Sequence, residues 1–489
     1  MTRLLCLAAT TALFFSGCDA CSSPEPESAA PESVEEGSAE SAFEAYDPNA
    51  PVIVPRVQPE IEHVNPPVAA DFDVPFVAGA WRTSRGDNHR SGLRDAPGIR
   101  SPDVAWSVYV GIQGYANTPI VTGGGVFVSS QGETHNRPDE LDGVYAIDPS
   151  NGARRWFTPT DDDANGMLLV DDVLFVGTDA GTLYAIATAD GAVRWQVDTK
   201  CGITQAPTAH RGWLYLPRRE GLLRVATADG QLDGDIEPCR GSERGTIAVT
   251  DDAVVRSVNR EVMQSFDHDQ NLVWEAGTGI NEYTGRARWT HPQETASMWI
   301  EAVHRWRFGD ENAFEHRPAA IARWADNGQL AWVVDINDPE HADPFPGDET
   351  DYLRSAPFVV GERLLWTPMN ASKVVAFDVV TGERLGEMTL PDCRCRQFAS
   401  IVGTPSVAYL ARHDGLVYGF DPHTMQELWH INLGLHGLAG TSETHLPVTG
   451  ACSELPKNGT ALFSTPAIAE DGRLYVGSGD GWLYAVDPS

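Results

Sequence analysis

The sequence predicts an all-β chain: an eight-bladed β-propeller of four-stranded antiparallel blades, closed by an N-terminal strand that completes the last blade. Three observations predict it. A unit recurs at a period of about 40 to 50 residues, the spacing of propeller blades. Each copy holds four short runs of alternating polarity, separated by Gly, Asp and Asn turns. The last copy stops early at "LYAVDPS", while a strand-like run bearing Trp106 lies ahead of the first copy with no unit of its own.

The copies follow in order. The first, "TPIVTGGGVFVSS…LDGVYAIDPSNGARRW", ends at Trp156, and the second, "LLVDDVLFVGTDAGTLYAIATADGAVRW", at Trp195. The third, "APTAHRGWLYLPRREGLLRVATADGQL", ends at Leu232, and a degenerate fourth, "IAVTDDAVVRSVNREVMQSFDHDQNLVW", at Trp274. The fifth contains "ASMWIEAV" and "AAIARWADNGQLAW" and ends at Trp332. The sixth, "SAPFVVGERLLWTPMNASKVVAFDVVTGERL", ends at Leu385, the seventh at Trp429, and the eighth lacks its outer strand. One such sheet cannot bury both faces alone; stacking around an axis buries them. Residues 104–109 are expected beside 482–487, with Trp106 in the place that Trp156 holds in the first blade. That pairing joins the ends of the ring and removes a sheet edge.

The first residues read "MTRLLCLAATTALFFSGC", one positive charge at Arg3, an apolar run, then small residues and Cys18. This is the order of a bacterial lipoprotein signal, with Cys18 as the lipidated first residue of the mature chain. Residues 19–75 hold 13 acidic side chains against Arg56 alone, too polar to bury a core. The expected division is 1–17 lipoprotein signal peptide, 18–75 disordered acidic tether, and 76–489 propeller. The net charge of −34 argues against nucleic acid as a partner. The localisation this implies is the cell envelope, lipid-anchored and facing the periplasm or the cell surface, with the chain monomeric. Export permits disulfides, and Cys201, Cys239, Cys393, Cys395 and Cys452 are the candidates. Cys201 and Cys239 occupy equivalent places in consecutive repeats; Cys393 or Cys395 is the candidate partner of Cys452.

The run Ala146-Ile147-Asp148 … Gly152 … Trp156 fits A-x-D-x-x-x-G-x-x-x-W and resembles the tryptophan-docking motif of the pyrroloquinoline quinone (PQQ) repeat propellers. Gly191 with Trp195 and Gly328 with Trp332 repeat it in part; Trp274 and Trp429 mark copies without the Gly, and Gly382 a copy without the Trp. The segment "AWRTSRGDNHRSGLRDAPG", residues 80–98, also looks like the stretch that precedes the first blade in that family. The resemblance covers about residues 80–489. It implies that these Trp residues pack between blades and that the Gly residues permit the turns. Two branches share such blades. The quinoprotein dehydrogenases carry PQQ, calcium and adjacent cysteines, but here Cys393 and Cys395 are separated by Arg394. The other branch is non-enzymatic and includes the propeller lipoprotein of the outer-membrane β-barrel assembly machinery. The resemblance favours a scaffold or binding module with no catalytic residue and no cofactor; PQQ with calcium belongs only to the alternative, a quinone-dependent oxidoreductase.

Long insertions are expected on one face, which inter-blade loops share with the loops joining second and third strands. They span 275–296, 333–356, 386–403 and 430–463 between blades, and 130–142 and 304–318 within them. Clustered long loops mark a binding surface for a protein or glycan. Its candidate residues are Trp289, His291, Trp306, Tyr352 and Arg354. Arg394, Arg396, His436 and His445 complete the set, aromatic and arginine side chains being suited to such contacts. Residues 161–172, "DDDANGMLLVDD", match the start of a calcium-loop pattern. "GMLLV", however, reads as the first strand of the second blade and no helix flanks it, so no metal is assigned.

Overall fold

β-branched and aromatic runs, each stopped by a Gly or Asp turn, fold into antiparallel ladders. In the first blade these are Ile120–Thr122, Gly125–Gln131, Asp142–Ile147 and Arg154–Pro159, hydrogen-bonded in sequence order. The computed structural model describes residues 80–114, 116–218, 221–233, 242–243, 247–258, 262–277, 286–290, 297–303, 319–335, 355–367, 373–391, 397–412, 414–433, 462–479 and 481–488. The expected signal peptide, Cys18 and the tether lie outside the described residues. Among those described no helix is long and apolar enough to cross a membrane.

Eight sheets form the ring, an eight-bladed propeller, and blades two and four to seven repeat the four-strand order. The third blade has Thr208–His210, Trp213–Arg218 and Gly221–Ala226; among the described residues its fourth strand is reduced to a bridge between Val225 and Leu232. The eighth blade closes as expected. Pro102–Tyr109 pairs antiparallel with Trp482–Pro488, Trp106 standing opposite Ala485. Trp156 stands opposite Ala146 in the same register.

The core lies in the seams. One apolar cluster joins Phe127, Val144 and Ala146 of blade one to Met167, Leu174 and Val176 of blade two. The largest cluster spans blades seven, eight and one, and includes Tyr409, Tyr475, Leu483 and Tyr145. Six seams are bridged in a similar way. Trp156 lies on the turn of the next blade, donating from Nε1 to the Thr188 carbonyl at 3.0 Å. Trp195 donates to Thr227 at 3.1 Å, Trp274 to Ala325 at 3.0 Å and Trp332 to Val379 at 3.0 Å. Trp106 donates to Pro149 at 3.0 Å and Trp429 to Ile99 at 2.7 Å. The motif glycine faces the Trp of the preceding blade, not its own. A Cβ on Gly152 would stand 2.8 Å from the Trp106 ring, and one on Gly191 would stand 2.7 Å from Trp156; the same holds for Gly328 with Trp274 and Gly382 with Trp332.

The register corrects two blade ends. In blade six Gly386, not Leu385, stands opposite Ala376 at the position of the docking Trp. In blade three Leu232 bridges Val225, which is the place of Val193 opposite Ile186, two residues before Trp195. Leu385 and Leu232 share the apolar character of the docking position, but a bulge in the outer strand sets the offset in blades six and two. Trp289 is also relocated. It lies in Arg286–Thr290, the first strand of blade five, opposite Met298. Two arginines in "RARWT" hid the strand's alternation and made it read as loop.

Residues 80–94 cross the middle of the ring. Trp81 bridges Val121 of blade one, Thr83 bridges Leu168 of blade two, and Leu93 bridges Gly403 of blade seven. Arg90 donates to Ala206 at 3.0 Å and to Thr208 Oγ1 at 3.1 Å in blade three, while Arg85 donates to the Pro357 carbonyl of blade six. So short a segment reaches five blades only where they converge, at the axis. Arg85 and Arg90 are buried and hold left-handed backbone, φ 60° and 57°. Burial lowers Arg85 to about 9 and Arg90 to about 10. Such strain persists where surrounding contacts over-determine it, and here the guanidinium donors supply them.

Three outcomes follow from these contacts. Gly191→Ala and Gly361→Ala both place a side chain at positive φ, 75° and 59°, but a Cβ at 361 meets nothing within 4 Å. Urea unfolding should show about 1 kcal/mol lost at 361 and about 2–4 kcal/mol at 191. Arg90→Met strips the donors from buried carbonyls and should cost about 2–4 kcal/mol in the same assay. His210 stacks on His268 with ring centroids 3.9 Å apart, and burial, with repulsion from His268 and Arg211, lowers it to about 4. Its neutral form is the one that folding favours, so its contribution is complete above its unfolded value of about 6.5 and is lost as pH falls towards 4. The unfolding free energy of His210→Gln, measured in urea, should fall less steeply than that of wild type across that window, by an amount on the order of 1 kcal/mol because the ring is part-exposed.

Candidate functional site

In an antiparallel blade, the turn between second and third strands and the connection to the next blade emerge on the same face. Of the insertions expected there, residues 132–141 are fully described, together with the adjoining connection 160–163 and turn 179–181. His291, Trp306, Tyr352, Arg354, Arg394, Arg396, His436 and His445 lie outside the described residues, as do Cys239, Cys393, Cys395 and Cys452. Cys201 is buried, 4% exposed. A short parallel bridge after it pairs Gly202–Ile203 with Ser242–Glu243, tying two inter-blade connections together.

The described part of the face is built around carboxylates. Asp139 shapes its loop by accepting from the backbone N–H of Glu133 at 2.7 Å, Thr134 at 3.0 Å and Leu141 at 2.8 Å. Its own N–H donates to Asp142 Oδ2 at 2.8 Å. Across the seam, Asp163 Oδ2 accepts from His135 Nδ1 and from the Asn136 N–H, both at 2.9 Å. Asp161 accepts from the hydroxyls of Thr178 at 2.9 Å and Thr182 at 2.5 Å. Asn165 donates to Asp179 Oδ1 at 2.8 Å and to the Ile203 carbonyl at 2.9 Å. Loop, inter-blade connection and turn thereby interlock over blades one and two.

This geometry does not assemble the linear calcium loop that the spelling of 161–172 suggests. Asp161 is occupied by hydroxyls, Asn165 faces Asp179, and Asp172 is exposed in an ion pair with Arg194. Instead Asp162 and Asp163 meet Asp142, a residue twenty positions away, with one oxygen from each within 4.8 Å of the others. Burial raises Asp142 to about 7, with Asp163, Asp139 and Asp162 adding to the shift; Asp162 and Asp179 are raised in the same direction by burial. No linear spacing rule finds such a trio, because two repeats contribute to it.

The fold has counterparts among solved structures. BamB from Moraxella catarrhalis superposes with a TM-score of 0.54 at 15% identity, over 79% of this chain and 100% of that one. The quinohemoprotein alcohol dehydrogenase from Comamonas testosteroni gives 0.59 at 13% identity, over 85% and 82%. A europium-containing methanol dehydrogenase gives 0.56 at 12%, over 83% and 98%. No curated protein sequence matches the chain. The family model for outer membrane protein assembly factor BamB matches residues 142–389, half of the chain. With eight blades in a ring and that match, the chain belongs to the PQQ-repeat propeller family of the outer membrane assembly factor BamB.

Proposed function

We propose that the chain is a non-enzymatic binding propeller of the cell envelope that holds a protein partner on its loop-rich face. Cys18 anchors it by lipid and residues 18–75 set its reach. The observation that carries this reading is the occupied axis: residues 80–94 fill the convergence of blades one, two, three, six and seven with their own backbone and arginines. Recognition is then left to the outer loops, whose chemistry on blades one and two is acidic and polar. Membership in a family named for an assembly factor supports a protein as the partner. Cys201 paired with Cys239 would brace the same face, since the bridge from Gly202 to Ser242 draws the two connections together.

A second reading, a quinone-dependent oxidoreductase, draws on the resemblance to alcohol and methanol dehydrogenase folds. The two separate in one set of assays on the full chain. Cross-linking in membranes should trap a discrete protein partner, lost on deletion of 430–463, and Cys18→Ala should move the protein to the soluble fraction. Dye reduction after addition of PQQ and calcium should stay at background. Recovery of the same proteins with and without 430–463, or reconstituted dye reduction, would overturn the proposal.

A further inference from the structure

We propose that Asp142, Asp162 and Asp163 form a binding site for one calcium ion at the seam between blades one and two. The acidic cluster alone would be unremarkable on so acidic a surface. The second observation is that two of its carboxylates are sealed from water and each keeps an oxygen with no partner. Asp142 and Asp163 are both 0% exposed, and Oδ1 of each accepts no hydrogen bond. A buried polar atom without a partner costs about 1–3 kcal/mol, more when it is charged. Two such atoms in one cluster are best explained by a ligand that both face.

The remaining oxygens accept hydrogen bonds of the kind that hold metal ligands in orientation. Asp142 Oδ2 is fixed by the Asp139 N–H at 2.8 Å. Asp163 Oδ2 is fixed by His135 and by the Asn136 N–H. Asp162 Oδ1 accepts from the Asp163 N–H at 3.0 Å. Each carboxylate is thus held by one oxygen and offers the other. Among the described residues no arginine or lysine forms an ion pair with any of the three; the basic side chain that meets them is His135, on Asp163 Oδ2.

The donor set selects the ion. Three carboxylate oxygens with no sulfur ligand suit a hard cation. Oxygens within 4.8 Å of one another are close enough to reach a single cation, and calcium takes oxygen ligands at about 2.3–2.6 Å. Magnesium demands a tighter octahedron, whereas ligands drawn from the first residue of a strand, Asp142, and from an inter-blade connection, Asp162 and Asp163, suit calcium's looser geometry. The proposal does not rest on the partner-binding reading, since the ligands belong to the seam whether or not a protein docks above it.

The test uses the full chain, stripped with a chelator and titrated with calcium chloride, with magnesium chloride alongside. Melting temperature and equilibrium dialysis are the readouts. Wild type should gain several degrees and bind one calcium at the seam with an affinity of roughly 0.1–1 mM, as in extracellular modules. Asp142→Asn with Asp163→Asn keeps the orienting hydrogen bonds and removes the repulsion. In chelator this double variant should melt at or above wild type, and its calcium response should weaken at least tenfold. Should the pair fail to fold, the part-exposed Asp162→Asn must show the same weakening. No rise in melting temperature up to about 10 mM calcium, well above that range, would overturn the site. So would an undiminished calcium response in the variants, which would place binding elsewhere, for instance in the acidic residues 19–75.

Discussion

An indole laid across a seam is the contact on which the ring depends. A four-stranded blade is apolar on both faces and has no core of its own, so its stability is borrowed from two neighbours. At six seams the loan is made by a tryptophan whose Nε1 donates to a backbone carbonyl at 2.7–3.1 Å, on the next blade's turn or, for Trp429, at Ile99. Burying most of such a ring contributes about 2–3 kcal/mol, and the hydrogen bond about 1 more. The carbonyl must lie bare for the ring to reach it, and a glycine at positive φ keeps the turn clear. The docking motif is therefore one half of a contact whose other half belongs to the adjacent repeat.

The exceptions follow the same rule. Blade six carries Gly386 where the indole would stand, and the following turn carries Met425 at φ 58° in the place of the glycine. Met425 is buried in the seam with Met388 and Leu390. Side-chain volume has moved from the outer strand to the facing turn. In blade four the turn holds Gln270 at φ 65°, and the blade before it has no described outer strand beyond Leu232. Tryptophan and glycine thus vary together across a seam because only one side chain fits between the two surfaces.

Much of this was legible in the sequence because propellers repeat their own local physics. The eight copies, the incomplete last unit and the displaced strand of Trp106 fixed the closure and the register of Pro102–Tyr109 on Trp482–Pro488. What escaped was whatever does not repeat. Arg286–Thr290 was missed because arginines on a strand next to the axis look like loop. The crossing of the axis by residues 80–94 left only a faint trace, four arginines at 82, 85, 90 and 94 in an otherwise acidic body. The trio of Asp142, Asp162 and Asp163 was invisible for a different reason. Its members come from the start of a strand in one repeat and the connection to the next, so only the seam itself places them together.

Axis, seams and closing strand are one mechanical system. Residues 80–94 pin the inner edges, Ile99 supplies the carbonyl for Trp429, and the chain then runs directly into the strand that completes blade eight. Hydrogen exchange of the backbone amides in residues 102–109 and 482–488 of the unmodified protein tests this most directly. If the ring is shut by this pairing, the hydrogen-bonded amides of both segments exchange slowly and at matching rates, opening only with the neighbouring seams. Fast exchange along 102–109 beside a protected 482–488 would show a ring that stands without its closing strand, and would contradict the account.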